Sequence, residues 1–243
     1  KVLVELGADV NAGDKLKATP LHLATERHNV PVLNALVALG ANLNVYNEDF
    51  LSPLHVAADL GDIDVINALA AAGADLDISD RLGATPLHEA ISNAHLDAIN
   101  LLLALGANVN ACSETTGRFK DDDGEDVEDL TQWMPLHLAA WHGTLEIIYT
   151  LVAHGADVNG AGVTNWMAMH CAAENGSTDA VNALAALGAN VNAKDCTHWT
   201  PLHTAAENGE LDSIDALMNH GAHMFIPDTN MGHTALHCCE DDA

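Results

Sequence analysis

The sequence is poor in basic and aromatic residues. Only 8 of its 243 residues are lysine or arginine, against 35 aspartates and glutamates, and aromatic side chains make up 4%. A formal net charge of −27 repels phosphate backbones and anionic lipid, so nucleic acid and membrane insertion are excluded and a basic protein is favoured as partner. Because hydrophobic residues still reach 49%, alanine and leucine must supply the core, as in thin, closely packed helices.

Signals for export, disulfides and catalysis are also missing. There is no apolar run long enough to span a bilayer and no secretory signal at the start. The five cysteines are odd in number and lack CxxC spacing, so we expect a monomer in a reducing compartment, the cytoplasm or nucleus. No GxSxG, Walker, GxGxxG or HExxH motif occurs, so we expect neither enzymatic activity nor a cofactor.

What the sequence does contain is an internal repeat. A histidine ends a TPLH motif, or a variant of it, at successive spacings of 33, 33, 49, 33, 33 and 34 residues: His22, His55, His88, His137, His170, His203 and His237. A second motif, of the type GADVN, keeps step with it from Gly7 to Gly221. One spacing is longer than 33 by sixteen residues, which predicts a single insertion between two repeats.

Each repeat predicts two short helices and a turn. Thr and Pro of TPLH suit a helix start, where the hydroxyl caps free N–H groups and Pro needs no donor. Leucine begins the buried face, the following alanine pair allows close approach of the next helix, and a glycine ends the helix. A second helix such as DVINALAAAG follows, and the GADVN segment then turns outward as a finger.

These motifs resemble ankyrin repeats over essentially the entire chain. The resemblance implies an all-α solenoid of stacked helix–turn–helix units, with projecting β-turn fingers, a concave groove and structural motif histidines. We predict a single domain over 1–243, of about six full repeats and a partial repeat at each end, in which 1–6 is the tail of a second helix. Because neither end carries a polar capping repeat, we expect an internal piece of a longer protein. The predicted repeats are 14–46, 47–79, 80–112, 129–161, 162–194 and 195–228, with partial repeats at 1–13 and 229–243.

The insertion is predicted at 113–128, with the sequence SETTGRFKDDDGEDVE. A polar insertion in a finger extends from the binding side of a solenoid, and we interpret it as a mobile acidic flap. Calcium is the alternative, but an EF-hand register centred on Gly124 places Phe119 and Leu130 where carboxylates are needed.

Tryptophan precedes the TPLH-type motif in three consecutive repeats, at Trp133, Trp166 and Trp199. By resemblance, this position lies at the end of the finger facing the groove, so we predict an exposed ladder of three rings. Four residues after the motif histidine stand Trp141, Glu174 and Glu207. Aromatic faces beside carboxylates suit a cationic side chain, which predicts binding of a basic peptide or protein surface. The predicted contact residues are Trp133, Trp166, Trp199, Trp141, His142, Glu174, Glu207, Leu130 and Arg81.

Other interpretations stay open. A methyl-lysine cage is similar, but the tryptophan that follows the motif histidine in such repeats is replaced here by Leu138, Cys171 and Thr204. The tryptophans could instead cover the finger bases, leaving a structural spacer or a regulatory domain of a larger enzyme or channel.

Two further sites are alternatives. No metal site is predicted, although zinc on His220, His223 and His233 is the alternative. The resemblance also implies that the finger asparagines Asn159 and Asn11 are candidates for hydroxylation. The simpler interpretation, which we favour, is that such an asparagine satisfies its own turn.

Overall fold

The computed structural model describes residues 7–120, 126–162, 164–229 and 231–238, and for residues 114–120 and 126–131 it describes the backbone alone. The predicted helix tail at 1–6 lies outside the described residues. The chain forms two compact units, Lys1–Ser113 and Glu114–Ala243. The boundary between the units falls at the start of the predicted insertion.

The first unit consists of helix pairs. Its helices are α1 (Pro20–Glu26), α2 (Val30–Ala38), α3 (Pro53–Asp59), α4 (Ile63–Ala71), α5 (Pro86–Ser92) and α6 (Leu96–Leu105). The first helices of successive pairs stack in the order α1, α3, α5, and the second helices stack in the order α2, α4, α6. Each pair also packs internally, so every repeat contacts its neighbours through both layers.

The second unit continues this arrangement after a two-stranded sheet. Its elements are β1 (Ser113–Lys120), β2 (Asp126–Trp133), α7 (Pro135–Trp141), α8 (Leu145–Ala153), α9 (Ala168–Glu174), α10 (Thr178–Ala186), α11 (Pro201–Glu207), α12 (Leu211–Asn219) and α13 (Ala235–Cys238). The stacked helical repeats are confirmed, and the sheet of β1 and β2 is an addition to a fold expected to be entirely helical. Residues 121–125 of the predicted flap lie outside the described residues.

Where threonine or serine precedes the first helix, the TPLH-type motif begins that helix through a capping box, as α3 illustrates. The Ser52 hydroxyl accepts a hydrogen bond from the His55 N–H (3.3 Å), while His55 Nδ1 accepts one from the Ser52 N–H (3.2 Å). Pro53 occupies the first helical position, where no donor is needed. The helix ends at Asp59, and Gly61 two residues later has a φ of 66°, in the left-handed region.

The same histidines join consecutive repeats. With Nδ1 acting as an acceptor in its own repeat, the His55 Nε2–H donates to the Ala84 carbonyl in the next repeat (2.9 Å). His137 donates in the same way to the Trp166 carbonyl (3.0 Å) and His170 to the Trp199 carbonyl (3.3 Å). The predicted structural role of the motif histidines is therefore confirmed.

Small and branched apolar residues fill the space between the helix layers. Leu54, Ala57 and Ala58 of α3 have no exposed surface, and neither do Ile66 and Leu69 of α4. Full burial of one such leucine or isoleucine contributes about 1.5–3 kcal/mol, which a repeat gains only by contact with its neighbours. Within the described ranges, no helix combines the length and the apolar character needed to cross a membrane.

Candidate functional site

Two neighbouring repeats of the second unit form a cleft, here called the Trp166–Trp199 cleft. Each tryptophan lies two residues before a first helix, α9 or α11, and Glu174 and Glu207 are the last residues of those helices. The cleft has a volume of about 320 Å³. Its lining comprises Thr164, Trp166, Glu174, Asp195, Cys196, Thr197, Trp199, Thr204, Glu207 and Asn208.

Both indoles of the cleft rest on the motif histidine of their own repeat. The Trp166 ring stacks on His170 with centroids 4.6 Å apart, and the Trp199 ring lies 5.0 Å from His203. Burial lowers the pKa of His170 to about 4, despite its hydrogen bond to the Trp199 carbonyl, and burial lowers the pKa of His203 as well. These rings are therefore uncharged near pH 7, and each tryptophan stays half-buried with part of its ring lining the cleft.

The finger that carries Trp199 is closed by one aspartate. Asp195 Oδ1 accepts hydrogen bonds from the N–H of Trp199 (2.7 Å) and from the N–H and hydroxyl of Thr197 (both 2.8 Å). The Asp195 N–H in turn donates to the Trp199 carbonyl (3.0 Å). The Cys196 N–H donates to the Thr164 carbonyl of the preceding finger (2.8 Å), which ties the two fingers together.

The finger that carries Trp166 is built differently. Gly162 stands where the other finger has Asp195, and its N–H donates to the Trp166 carbonyl (3.0 Å). A Cβ on Gly162 would lie 2.3 Å from the Gln132 carbonyl oxygen, so the close approach of that backbone requires glycine. The Asn165 side chain donates to the Lys194 carbonyl of the next finger.

The two carboxylates differ in their exposure to water. Glu207 is exposed, whereas Glu174 is half-buried, and among the described residues its Oε2 is sealed from solvent without a hydrogen-bond partner. Burial, followed by repulsion from Glu207, raises the pKa of Glu174 to about 7.

The first tryptophan of the predicted ladder lies elsewhere. Trp133 ends β2 and is only 6% exposed, with its ring 5.5 Å from that of Trp141. The expectation of three exposed rings is therefore wrong for Trp133, because its indole packs against Trp141 of its own repeat. Trp141 is half-buried, and its carbonyl accepts a hydrogen bond from the Asn175 side chain (2.6 Å).

Of the remaining predicted contact residues, His142 and Arg81 are not among the described residues that line the cleft. His142 follows α7 and is exposed. The side chain of Leu130 in β2 lies outside the described residues. Arg81 belongs to the first unit, where its guanidinium carbon is 5.9 Å from the Phe50 ring centroid.

The three histidines of the zinc alternative have separate surroundings. The His220 ring bonds to the Asn182 side-chain oxygen (2.9 Å), and the His233 ring stacks on His237 at 5.3 Å. The His223 N–H donates to Asn192 Oδ1 (2.7 Å). Across the described part of the chain, no three His, Cys, Asp or Glu side chains converge as a metal site would require.

Asn159 and Asn11 connect fingers rather than closing their own turns. Asn159 Oδ1 accepts a hydrogen bond from the Asn190 N–H (2.8 Å), and its Nδ2–H donates to the Gly188 carbonyl (3.2 Å). Asn11 Oδ1 likewise accepts from the Asn42 N–H (2.7 Å). The favoured interpretation of an asparagine satisfying its own turn is wrong, because Asp157 and Asp9 perform that role. Hydroxylation stays a prediction.

Sequence reasoning missed several residues of the cleft. Asp195, Cys196, Thr204 and Asn208 were not among the predicted contacts, although the repeat register offered a signal. Thr204 and Asn208 flank Glu207 on the same first-helix segment, and Asp195 precedes Trp199 by four residues.

Comparisons with known proteins agree on one family. Models described as ankyrin repeats match residues 39–113, 118–195 and 188–241, and a further ankyrin-repeat model matches residues 3–58. Similar solved structures include the human ASB11 ankyrin repeat domain, with 26% identity, a TM-score of 0.74 and coverage of 93% of each chain. Another is the ankyrin repeat domain of Bcl-3, a member of the IκB protein family, with 28% identity, a TM-score of 0.73 and coverage of 90% of this chain and 93% of that one. No curated protein matches in a sequence comparison.

Proposed function

The chain belongs to the ankyrin repeat family, and we propose that its second unit binds a basic segment of another protein in the Trp166–Trp199 cleft. Ankyrin repeat domains generally mediate protein–protein interaction and are typically non-catalytic. The observation that carries the proposal is the pairing of two indoles with two carboxylates around one cleft. A cation gains from both, through cation–π contact and through charge pairing.

The charge of the chain supports the same partner. At a net charge of −27, the protein attracts basic segments over distances of up to about 10 Å at moderate salt, which speeds their encounter. Trp141 occupies the repeat position of Glu174 and Glu207 one repeat earlier. We propose Trp141 and His142 as an extension of the contact, with the Trp133 ring packed against Trp141. We further propose that the protein acts as a monomer in the cytoplasm or nucleus, where the free thiols of Cys112 and Cys196 would stay reduced.

The test is a titration with a set of basic peptides, in which binding is measured by calorimetry. The titration is repeated at high salt. We expect saturable, salt-sensitive binding that Trp199→Ala weakens by about 2 kcal/mol, or about thirtyfold, as for a hot-spot residue. Phe50→Ala is the matched control, because it truncates an aromatic ring that is 44% exposed in the first unit.

The control variant should bind as the wild-type protein does. If Phe50→Ala weakens binding and Trp199→Ala leaves it unchanged, the contact surface lies on the first unit. If no basic peptide binds while the protein remains folded, the structural-spacer interpretation replaces the proposal.

A further inference from the structure

We propose that the Trp166–Trp199 cleft takes the side chain of one arginine of the partner, with its guanidinium against the indoles and paired with both Glu174 and Glu207. This inference rests on the proposed function and specifies which group the cleft recognises. It also implies that binding releases a proton from Glu174.

The size of the cleft favours a single side chain. Its volume of about 320 Å³ lies at the lower end of the range for ligand pockets. A helix, with a diameter of about 10 Å including its side chains, cannot enter such a space. One long side chain projecting from an extended segment can enter it.

The carboxylates that line the cleft can accept several hydrogen bonds from one ligand group. Glu174 and Glu207, from neighbouring repeats, both line the cleft and bring two carboxylates to it. The third carboxylate, Asp195, already accepts three hydrogen bonds through one oxygen. A guanidinium carries five N–H donors in a rigid fork and can serve two carboxylates, whereas an ammonium acts as a compact point charge.

The walls of the cleft favour the same group. Each indole has its own motif histidine as a ring neighbour and turns another part of its surface to the cleft. A guanidinium is planar and weakly hydrated, so it stacks on an indole at a smaller desolvation cost than an ammonium does.

Glu174 makes the recognition of arginine depend on pH. The ionisable groups on α9 and on the helices packed against it are His137 on α7, His170 and Cys171 on α9, Asp179 on α10, and His203 and Glu207 on α11. Of these, Glu207 raises the pKa of Glu174, while burial keeps the three histidines neutral near pH 7. With a pKa of about 7, Glu174 is largely protonated at pH 6 and largely ionised at pH 8. A bound guanidinium requires the ionised form, so affinity falls as the pH falls.

The experiment compares three blocked tripeptides, acetyl-Gly-X-Gly-amide, in which X is arginine, lysine or the neutral isostere citrulline. Binding is followed by the NMR signals of the indole N–H groups and by protection of Cys196 from alkylation, with the exposed Cys112 as internal reference. At pH 8 and low salt, we expect the arginine peptide to bind at least about tenfold more tightly than the lysine peptide. The citrulline peptide should show no saturable binding.

Proton coupling is tested on the same arginine peptide. Its affinity should fall about tenfold from pH 8 to pH 6, as one proton with a pKa of about 7 requires. Glu174→Gln should remove this pH dependence. That result would show that the dependence comes from Glu174 and not from an exposed histidine such as His198 beside Trp199. Glu146→Gln, which removes an exposed carboxylate from α8, is the matched control and should keep it.

The outcomes separate this inference from the function on which it rests. Equal or tighter binding of the lysine peptide, or an unchanged pH dependence in Glu174→Gln, overturns the inference alone if basic peptides still bind and Trp199→Ala still weakens them. Absence of binding by every basic peptide overturns both. If Glu174→Gln is not folded, Glu207→Gln decides, because loss of one carboxylate should reduce the preference for arginine over lysine.

Discussion

Among single residues, the motif histidine stands out because it makes hydrogen bonds in two repeats at once. His55 is fully buried and makes hydrogen bonds in two repeats, to Ser52 in its own and to Ala84 in the next. Burial lowers the pKa of His55, so the neutral ring has one donor and one acceptor, and both are used. One residue thus caps a helix and joins neighbouring repeats.

We predict that His55→Ala lowers the free energy of unfolding by about 2–4 kcal/mol. The change leaves the Ser52 N–H and the Ala84 carbonyl without their partner and opens a cavity in the core. Urea unfolding measures the effect. His142→Ala, at an exposed position, should stay within about 0.5 kcal/mol of wild type, and similar losses in the two variants would contradict the role given to His55.

At the scale of elements, the fingers are held by a turn that recurs along the chain. An aspartate four residues before the finger end accepts backbone N–H bonds, as Asp80 does from Leu82 (2.8 Å) and Ala84 (2.7 Å). The Asp80 N–H also donates to the Ala84 carbonyl (2.8 Å), which closes the same loop. Asp195 forms this turn beneath Trp199, so the turn positions a residue of the proposed binding site.

We predict that Asp195→Ala and Asp80→Ala destabilise the protein to a similar extent, by about 1–3 kcal/mol, because each leaves finger N–H groups without an acceptor. Only Asp195→Ala should also weaken peptide binding, since it frees the finger that carries Trp199. Asp195→Asn keeps an acceptor oxygen and should retain most of the affinity. Thermal unfolding and calorimetric titration of the three variants check this, and equal affinity losses from Asp195→Ala and Asp80→Ala would argue against positioning by the turn.

Across the whole molecule, buried histidines and buried glutamates have opposite effects on how the free energy of unfolding depends on pH. Burial lowers the pKa of five motif histidines, including His170, whose pKa falls from 6.5 to about 4. Burial together with neighbouring carboxylates raises the pKa of Glu89 and Glu174 from 4.5 to about 7. Below pH 6.5, unfolding therefore lets the histidines take up protons, whereas it releases protons from the two glutamates.

We predict that the free energy of unfolding falls as the pH is lowered from 6.5 to 5. In that window, five histidines take up protons on unfolding while two glutamates release them, so we expect acid to favour unfolding. Urea midpoints across the range measure the slope. The double variant Glu89→Gln, Glu174→Gln removes the opposing groups and should show a steeper fall, while greater stability at pH 5 than at pH 6.5 would refute the prediction.

Much of the fold could be predicted because its determinants are local. The TPLH motif supplies an N-cap, a proline and a buried histidine within four residues, and the alanine pair and terminal glycine follow at fixed distances. Repetition of this chemistry every 33 residues leaves little choice except stacked helix pairs. The insertion lacks the periodicity of the repeats, and its two strands were not predicted.

The repeat, the helix starts and ends, and the equivalence of Trp133, Trp166 and Trp199 could be read from the sequence, because each depends on neighbours along the chain. The tertiary structure alone decided which of these rings lines a cleft: Trp133 is covered by Trp141, whereas Trp166 and Trp199 each share the cleft with a carboxylate. It also decided the raised pKa of Glu174, which comes from burial between repeats and from the charge of Glu207. Exposure and pKa depend on what lies across the repeat interface, and residues that occupy identical places in the repeat meet different neighbours there.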